Sequence, residues 1–257
     1  MSDYSSSEQS PGFLSRFFVL IYGLIAYLGF LAAFLYFIAF AHDLLVPLSV
    51  SSGTSDNLFL SIVINTILML LFGLQHTIMA RKGFKDGLTR LIPEAAERPT
   101  YVMATNLILA VLYFYWQPID TVIWSFTHDM MFYGIYAVCA LGWGLALIST
   151  FALDHFELFG LKQIWCHYNN KPMTPPQFRQ PLLYRLVRHP LQLGIFVGLW
   201  FTPHMTLGHL LFNTGMTIYI LVGLYYEEKD LVRLFGAAYE EYKRKVPQLI
   251  PFFPRSK

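Results

Sequence analysis

Apolar residues in this chain fall in long unbroken runs, not in the one-faced pattern of a soluble helix. They cover residues 17–40, 58–79, 101–116 and 131–152, followed by a block at 191–226. A helix needs about 20 apolar residues to cross a bilayer core, somewhat fewer when packed inside a bundle. The last block is too long for one crossing. Pro203, between Thr202 and His204, divides it into a tight helical hairpin, because proline removes a backbone N–H and turns the chain. The pattern predicts an all-α, polytopic transmembrane bundle of about six membrane segments, the fifth (191–202) being short. Residues 1–14 are polar and serine-rich and read as a disordered tail; they do not read as part of a signal peptide, since no cleavage pattern follows and the first apolar run is too long. Residues 15–153 then form a four-helix region, and residues 154–257 a second region of loop, hairpin and tail.

The basic residues orient this bundle. All 18 Lys and Arg residues are Arg16 or lie in 81–98, 162–188 or from Lys229 onward, and the connections at 46–56, 117–129 and Pro203 carry none. The positive-inside rule places both termini and the two basic loops in the cytosol. With 13% charged and 55% hydrophobic residues, against about 25% charged in soluble domains, the composition excludes a disordered chain, a coiled coil and a nucleic-acid-binding domain. The bilayer is the partner it implies. Oligomeric state is not indicated. Cys139 and Cys166 offer neither a disulfide framework nor a metal-ligand set.

Ionisable groups at membrane depth are costly and usually face a cavity or one another. Gln75 and His76, then Asp154, His155 and Glu157, then Arg188 and His189, then Glu227 and Glu228 all fall at the cytosolic ends of segments. Each taken singly reads as a helix end snorkelling to water. Together, with little comparable opposite, they predict helix ends converging on one pocket. Asn65, Asn106, His209 and Asn213 read as interhelical hydrogen-bonding residues. The stretch 154–180, rich in aromatics and then in proline, is either a re-entrant cap over the pocket or an interfacial loop.

Arg188-His189-Pro190 with Gly194, followed by Glu227-Glu228, Leu231, Phe235-Gly236, Tyr239, Tyr242, Val246-Pro247 and Ile250-Pro251, resembles the paired elements of the isoprenylcysteine carboxyl methyltransferase and phospholipid methyltransferase superfamily. Within it, segments 72–81, 97–101 and 154–163 are similar to the bacterial methanethiol S-methyltransferases, which overlap with NnrU-like proteins. The resemblance implies methyl transfer from S-adenosylmethionine to a small thiol, giving dimethyl sulfide and S-adenosylhomocysteine, at the cytosolic face of a bacterial inner membrane.

It further implies a cofactor held by Arg188, His189, Pro190, Gly194, Tyr225, Glu227 and Glu228. That ligand needs carboxylates for its ammonium, donors for its carboxylate and a close backbone approach, here at Gly194. Gln192 stands where many members carry tyrosine. Thiols react as thiolates, so a base is wanted. His76 is the first candidate, and His155 oriented by Asp154 the second. Gln75, Phe156 and Trp200 are the substrate-contacting candidates, and Tyr101, Trp116, Phe156, Trp165 and Trp200 are the aromatics able to shield a sulfonium. A prenylated cysteine carboxylate or phospholipid amine as acceptor, and a non-catalytic membrane component, are the competing readings.

Overall fold

The computed structural model describes residues 12–251, so residues 1–11 of the expected tail lie outside the described residues. The elements run α1 (Phe13–Ala41), α2 (Leu58–Met79), α3 (Lys82–Leu88), α4 (Glu94–Tyr115), β1 (Val122–Ser125), α5 (Asp129–Leu153), α6 (His155–Leu158), α7 (Leu161–Tyr168), a 3-10 turn (Leu182–Arg185), α8 (Pro190–Trp200), β2 (His204–Thr206), α9 (Leu207–Phe235) and α10 (Ala237–Lys245). The architecture is an all-α polytopic bundle. Four helices, α1, α2, α5 and α9, are long and apolar enough to cross a membrane. Their outward residues, such as Phe18, Leu35, Phe59, Leu70, Leu141 and Ile148, are exposed, an apolar surface that suits a lipid surrounding.

The core forms where six helices meet. Phe37 and Phe40 of α1, Leu68 and Phe72 of α2, Leu112 of α4, Trp143 of α5, Leu199 of α8 and Phe212 of α9 pack in one cluster. The expected interhelical bonds are present: Asn106 Nδ2 donates to Ala26 O (2.9 Å) and Asn213 Nδ2 to Leu199 O (2.7 Å). Asn65 exchanges two bonds with the Gln117 backbone, at 2.7 and 2.8 Å.

Arg81 pairs with Asp230 (3.0 Å), Arg16 donates to Tyr168 O (3.0 Å) and Arg98 to Leu158 O (2.6 Å), so the basic segments gather at one end of the bundle. The opposite end is closed by an antiparallel ribbon of β1 and β2, which the apolar runs did not predict.

Several boundaries differ from the sequence pattern. Helix α1 begins at Phe13, because Phe13 and Leu14 continue its apolar face, so residues 13 and 14 are not tail. Helix α4 starts among charged residues at Glu94, and α9 continues to Phe235, well past the apolar block; Glu, Lys, Leu and Arg are good helix formers without being apolar. The hairpin at Pro203 is wider than a tight turn, since β2 intervenes and Thr206 caps α9 by accepting from His209 N (3.2 Å). The stretch 154–180, expected as a loop, contains two short helices. Its first part folds as α6 and α7, with Ile164 buried against Val19 and Ala96. Gly160 turns between them at φ +88°, and a Cβ there would lie 2.8 Å from Pro99.

Gly194 has a structural task. It packs α8 against α5 so closely that a Cβ would sit 2.5 Å from Ala146 N and 2.6 Å from Gly142 O. Gly142 and Ala146 on α5, with Gly194 and Gly198 on α8, form a facing pair of small-xxx-small ridges. The missing side chain of Gly194 is therefore used by the α5–α8 contact. Gly194→Val should lower stability by about 3 kcal/mol, since the clash is with backbone that cannot yield. Gly144→Ala, where a Cβ meets nothing within 4 Å, is the control. Melting of the solubilised protein compares them, and equal melting temperatures would contradict the close-packing account.

Candidate active site at the basic end of the bundle

The two motif halves fold onto each other. The backbone N–H groups of Arg188 and His189 donate to Pro247 O (2.9 Å) and Gln248 O (3.1 Å), pinning the entrance of α8 to the chain after α10. Pro190 opens α8 at its first turn, where its missing N–H costs nothing. Tyr242 donates to Tyr184 O at 2.5 Å, joining α10 to the 3-10 turn.

Inside this clasp lies Glu228, with its side chain 8% exposed. Arg188 Nε donates to Glu228 Oε1 (2.7 Å), His189 Nε2 lies 3.1 Å from the same oxygen, and Lys243 Nζ lies 3.1 Å from Oε2. Arg188 Nη1 donates to Lys243 O (3.1 Å) and Val246 O (2.6 Å). Both oxygens of Glu228 are thus taken, and much of the Arg188 fork with them.

Glu227 is differently placed. Successive helical residues point about 100° apart, so the carboxylate next to a buried one turns elsewhere. Its side chain is 47% exposed, with His189 Nδ1 at 3.9 Å and Gln192 Nε2 at 3.5 Å. Arg98, Tyr101, Tyr184 and Tyr219 lie within electrostatic range of it.

Among them stands His76 of α2, boxed by the rings of Tyr101 (4.8 Å between centroids), Phe72 (5.5 Å) and Tyr219 (5.6 Å). The Arg98 guanidinium lies 5.0 Å from the Tyr101 ring centroid. Gln75 Oε1 is buried and has no hydrogen-bond partner. On the i, i+4 ridge of α9 between Tyr219 and Glu227, a Cβ at Gly223 would meet nothing within 4 Å. Residues at the ends of α2, α4, α8 and α9 thus lie near one another, with α4 in the place expected for the end at Asp154, His155 and Glu157.

Other expected residues are engaged elsewhere. His155 is buried with both ring nitrogens bonded, Nε2 to Tyr27 Oη (2.8 Å) and Nδ1 to Thr150 Oγ1 (2.8 Å). Burial lowers its pKa, an effect the nearby Asp154 charge only partly offsets. Asp154 does not orient it. Instead Asp154 caps α6 by accepting from Glu157 N (3.0 Å) and pairs with Lys162 (2.9 Å). The proposed Asp154–His155 dyad is not formed, because each residue satisfies a different helix junction.

Trp200 ends α8, about 16 Å along the helix from His189, and donates to Thr217 Oγ1 (3.0 Å) within the core. Phe156 is exposed beside Phe151 and His155. Tyr225 is exposed too, with the Lys229 ammonium 4.2 Å from its ring centroid. Of the possible sulfonium shields, Tyr101 lines the site, whereas Trp116 donates to Val50 O (3.1 Å) at the opposite end and Trp165 is exposed.

The opposite end also carries buried polar groups that the sequence pattern understated. Asp43 lies 3.2 Å from His209 Nε2 and accepts from Ser49 and Ser51. Outside the clasp, an open depression of about 630 Å³ is lined by Arg188, Lys229, Arg233, Lys243 and Arg244, with Glu228 and Glu240.

Arg98, Tyr219 and Lys243 were not singled out from sequence as site residues. Only Arg98 had a signal, since it sits in the 97–101 segment.

Asp154 yields a pH test. Partial burial pushes its carboxyl up, but hydrogen bonds from Lys162 and Glu157 N, with the Lys162 charge, hold it below the usual 3.8. A depressed carboxyl adds stability above its unfolded pKa and loses it as pH falls through the folded one. The wild-type melting temperature should therefore drop more steeply below about pH 4 than that of Asp154→Asn. Parallel pH curves would refute the cap–lysine pair as a source of stability.

The chain is 45% identical over 243 residues to a methanethiol S-methyltransferase of Crocosphaera subtropica, covering 95% of each protein. It is 43% identical over 239 residues to a methanethiol S-methyltransferase of Mycobacterium tuberculosis, covering 93% of this chain and 98% of that one. Nurim of Xenopus laevis is 28% identical over 184 residues, which is 68% of this chain and 64% of that protein. No family model matches the chain, and no solved structure does.

Proposed function

Because the chain belongs to the methanethiol S-methyltransferase family, whose members transfer methyl groups, we propose that it methylates methanethiol to dimethyl sulfide. The donor in this reading is S-adenosylmethionine, which leaves as S-adenosylhomocysteine. The gathering of Lys and Arg at the working end supports a cytosolic orientation in a bacterial inner membrane. The observation that carries the reading is the box of His76, Tyr101 and Tyr219, with Arg98 beside the Tyr101 ring and Glu227 within electrostatic range, built by helices drawn from both halves of the chain.

When bound, S-adenosylmethionine supplies a methyl group made electrophilic by its sulfonium charge. The residues present suit such a ligand. Glu227, held only by the long contacts to Gln192 and His189, would take the ammonium, while Arg98 would take the carboxylate through charge-assisted hydrogen bonds. Tyr101 and Tyr219 present ring faces to a cation. The unpaired Gln75 Oε1 and the open space beside Gly223 mark the same region as a place for a ligand. The outer depression suits it less, since its cations outnumber its carboxylates and Glu228 is already paired. Like charge repels a ligand with a sulfonium and an ammonium.

His76 has the second task. An aliphatic thiol titrates above the about 8.5 of cysteine, so near neutral pH it needs a base at its sulfur. His76 accepts that proton inside the aromatic box. The box holds the sulfur in place and excludes water, and such positioning is itself a large part of methyl-transfer catalysis.

The test is a headspace assay. Membranes containing the protein, given methyl-labelled S-adenosylmethionine and methanethiol, should release labelled dimethyl sulfide. Label appearing in phospholipid or in a prenylcysteine methyl ester, with none in the headspace, would replace the thiol with a lipid acceptor.

A further inference from the structure

Thr105 lies on α4 one turn beyond Tyr101, and its hydroxyl is 2.9 Å from Tyr101 O. Two nitrogens also reach Thr105 Oγ1: His76 Nδ1 at 3.4 Å and Gln75 Nε2 at 3.4 Å. A hydroxyl has one proton to donate and two lone pairs. The short contact to the carbonyl takes the proton, because that carbonyl can only accept. The Thr105 oxygen is then an acceptor for both nitrogens. The Gln75 amide agrees with this assignment: its NH2 also faces Met79 Sδ at 3.2 Å, where an amide oxygen would find no donor.

An acceptor opposite Nδ1 requires Nδ1 to carry the imidazole proton. Nε2 is then the bare nitrogen, since the hydrogen bond the His76 ring makes among the described residues is at Nδ1. In neutral imidazoles the hydrogen bond at one nitrogen decides which nitrogen is basic. A free histidine side chain in water prefers its proton on Nε2, the wrong one for a base working from that atom.

We propose that Thr105 is a positioning residue that holds His76 in the Nδ1–H form, so that Nε2 stands ready inside the Phe72–Tyr101–Tyr219 box to take the proton of the thiol. The proposal rests on the reading of His76 as the base. As the proton moves to Nε2, the imidazolium keeps its Nδ1–H bond to Thr105, so no rearrangement accompanies the step. Neither Thr105 nor its helix contributes to the paired motif elements at 188–194 and 227–251.

The tautomer is observable without turnover. In the full-length protein carrying nitrogen-15 histidine, the His76 resonance is found among the 8 histidines as the one missing in His76→Gln. It should show Nδ1 protonated and Nε2 bare. Thr105→Val should move the proton to Nε2, and Thr105→Ser should keep the wild-type signature. In the headspace assay Thr105→Val should lower kcat about tenfold with the thiol KM little changed, and Thr105→Ser should restore it.

A wild-type His76 protonated on Nε2 would overturn the proposal even if Thr105→Val failed to fold. A Thr105→Val protein with an unshifted resonance would overturn it too. Full activity in His76→Gln is a separate result: it would remove His76 as the base, while the tautomer assignment would still be judged on the spectrum.

Discussion

Glu228→Ala should cost the protein about 3–5 kcal/mol, the usual effect of stripping one partner from a buried charge group. Its neighbour Glu227→Gln should leave the fold intact. In the first variant Arg188, His189 and Lys243 lose the carboxylate on which all three converge within 3.1 Å, leaving the buried Arg188 guanidinium near the Lys243 ammonium with no counter-charge between them. Against a total stability of about 5–15 kcal/mol, that is enough to release α10 from the entrance of α8. A drop in monodisperse yield and melting temperature after solubilisation would report it.

Glu227 has no such partners, so neutralising it leaves no buried charge stranded. It should instead weaken S-adenosylmethionine binding by about 10- to 100-fold, the worth of one charged hydrogen bond. Calorimetry on the two variants separates the roles. A Glu228→Ala protein as stable as wild type, or a Glu227→Gln protein with unaltered affinity, would show that the division between them is misread.

His76→Ala carries the other large effect. Removing a positioned base slows proton-coupled steps by about 10²–10⁴. The cofactor affinity should persist, because no contact to the ligand's charged ends is lost. The variant should also change its response to pH. Without an internal base it depends on thiolate formed in solvent, so its rate should rise tenfold per pH unit until the thiol itself titrates. The wild-type rate should level off at lower pH. A variant rate within tenfold of wild type, with an unchanged pH profile, would reassign the proton to solvent or to another group.

These expectations divide two adjacent glutamates that are equivalent in sequence. The motif announces a carboxylate pair, but not that Glu228 is consumed by a clasp while Glu227 turns out of it, half exposed. That choice follows from the 100° step of the helix and from partners on α8 and α10. The same limitation explains His155. As the residue after Asp154, it invites reading as a dyad, yet Tyr27 of α1 and Thr150 of α5 hold its two nitrogens. Gly194 is a third case. The motif shows that a side chain is missing there, and only the packed α5–α8 pair shows the helix contact that needs it missing.

The sequence by itself determined the membrane bundle, the end at which charge gathers and the pairing of the two motif elements. Lipid imposes those features along one dimension: helices need uninterrupted apolar length, and Lys and Arg are too costly to leave scattered within it. Tertiary structure alone decided which polar groups at that end are spent on holding it together and which are left free. That depends on how each helix is rotated about its axis and on neighbours far away in the chain, and no local spacing records either.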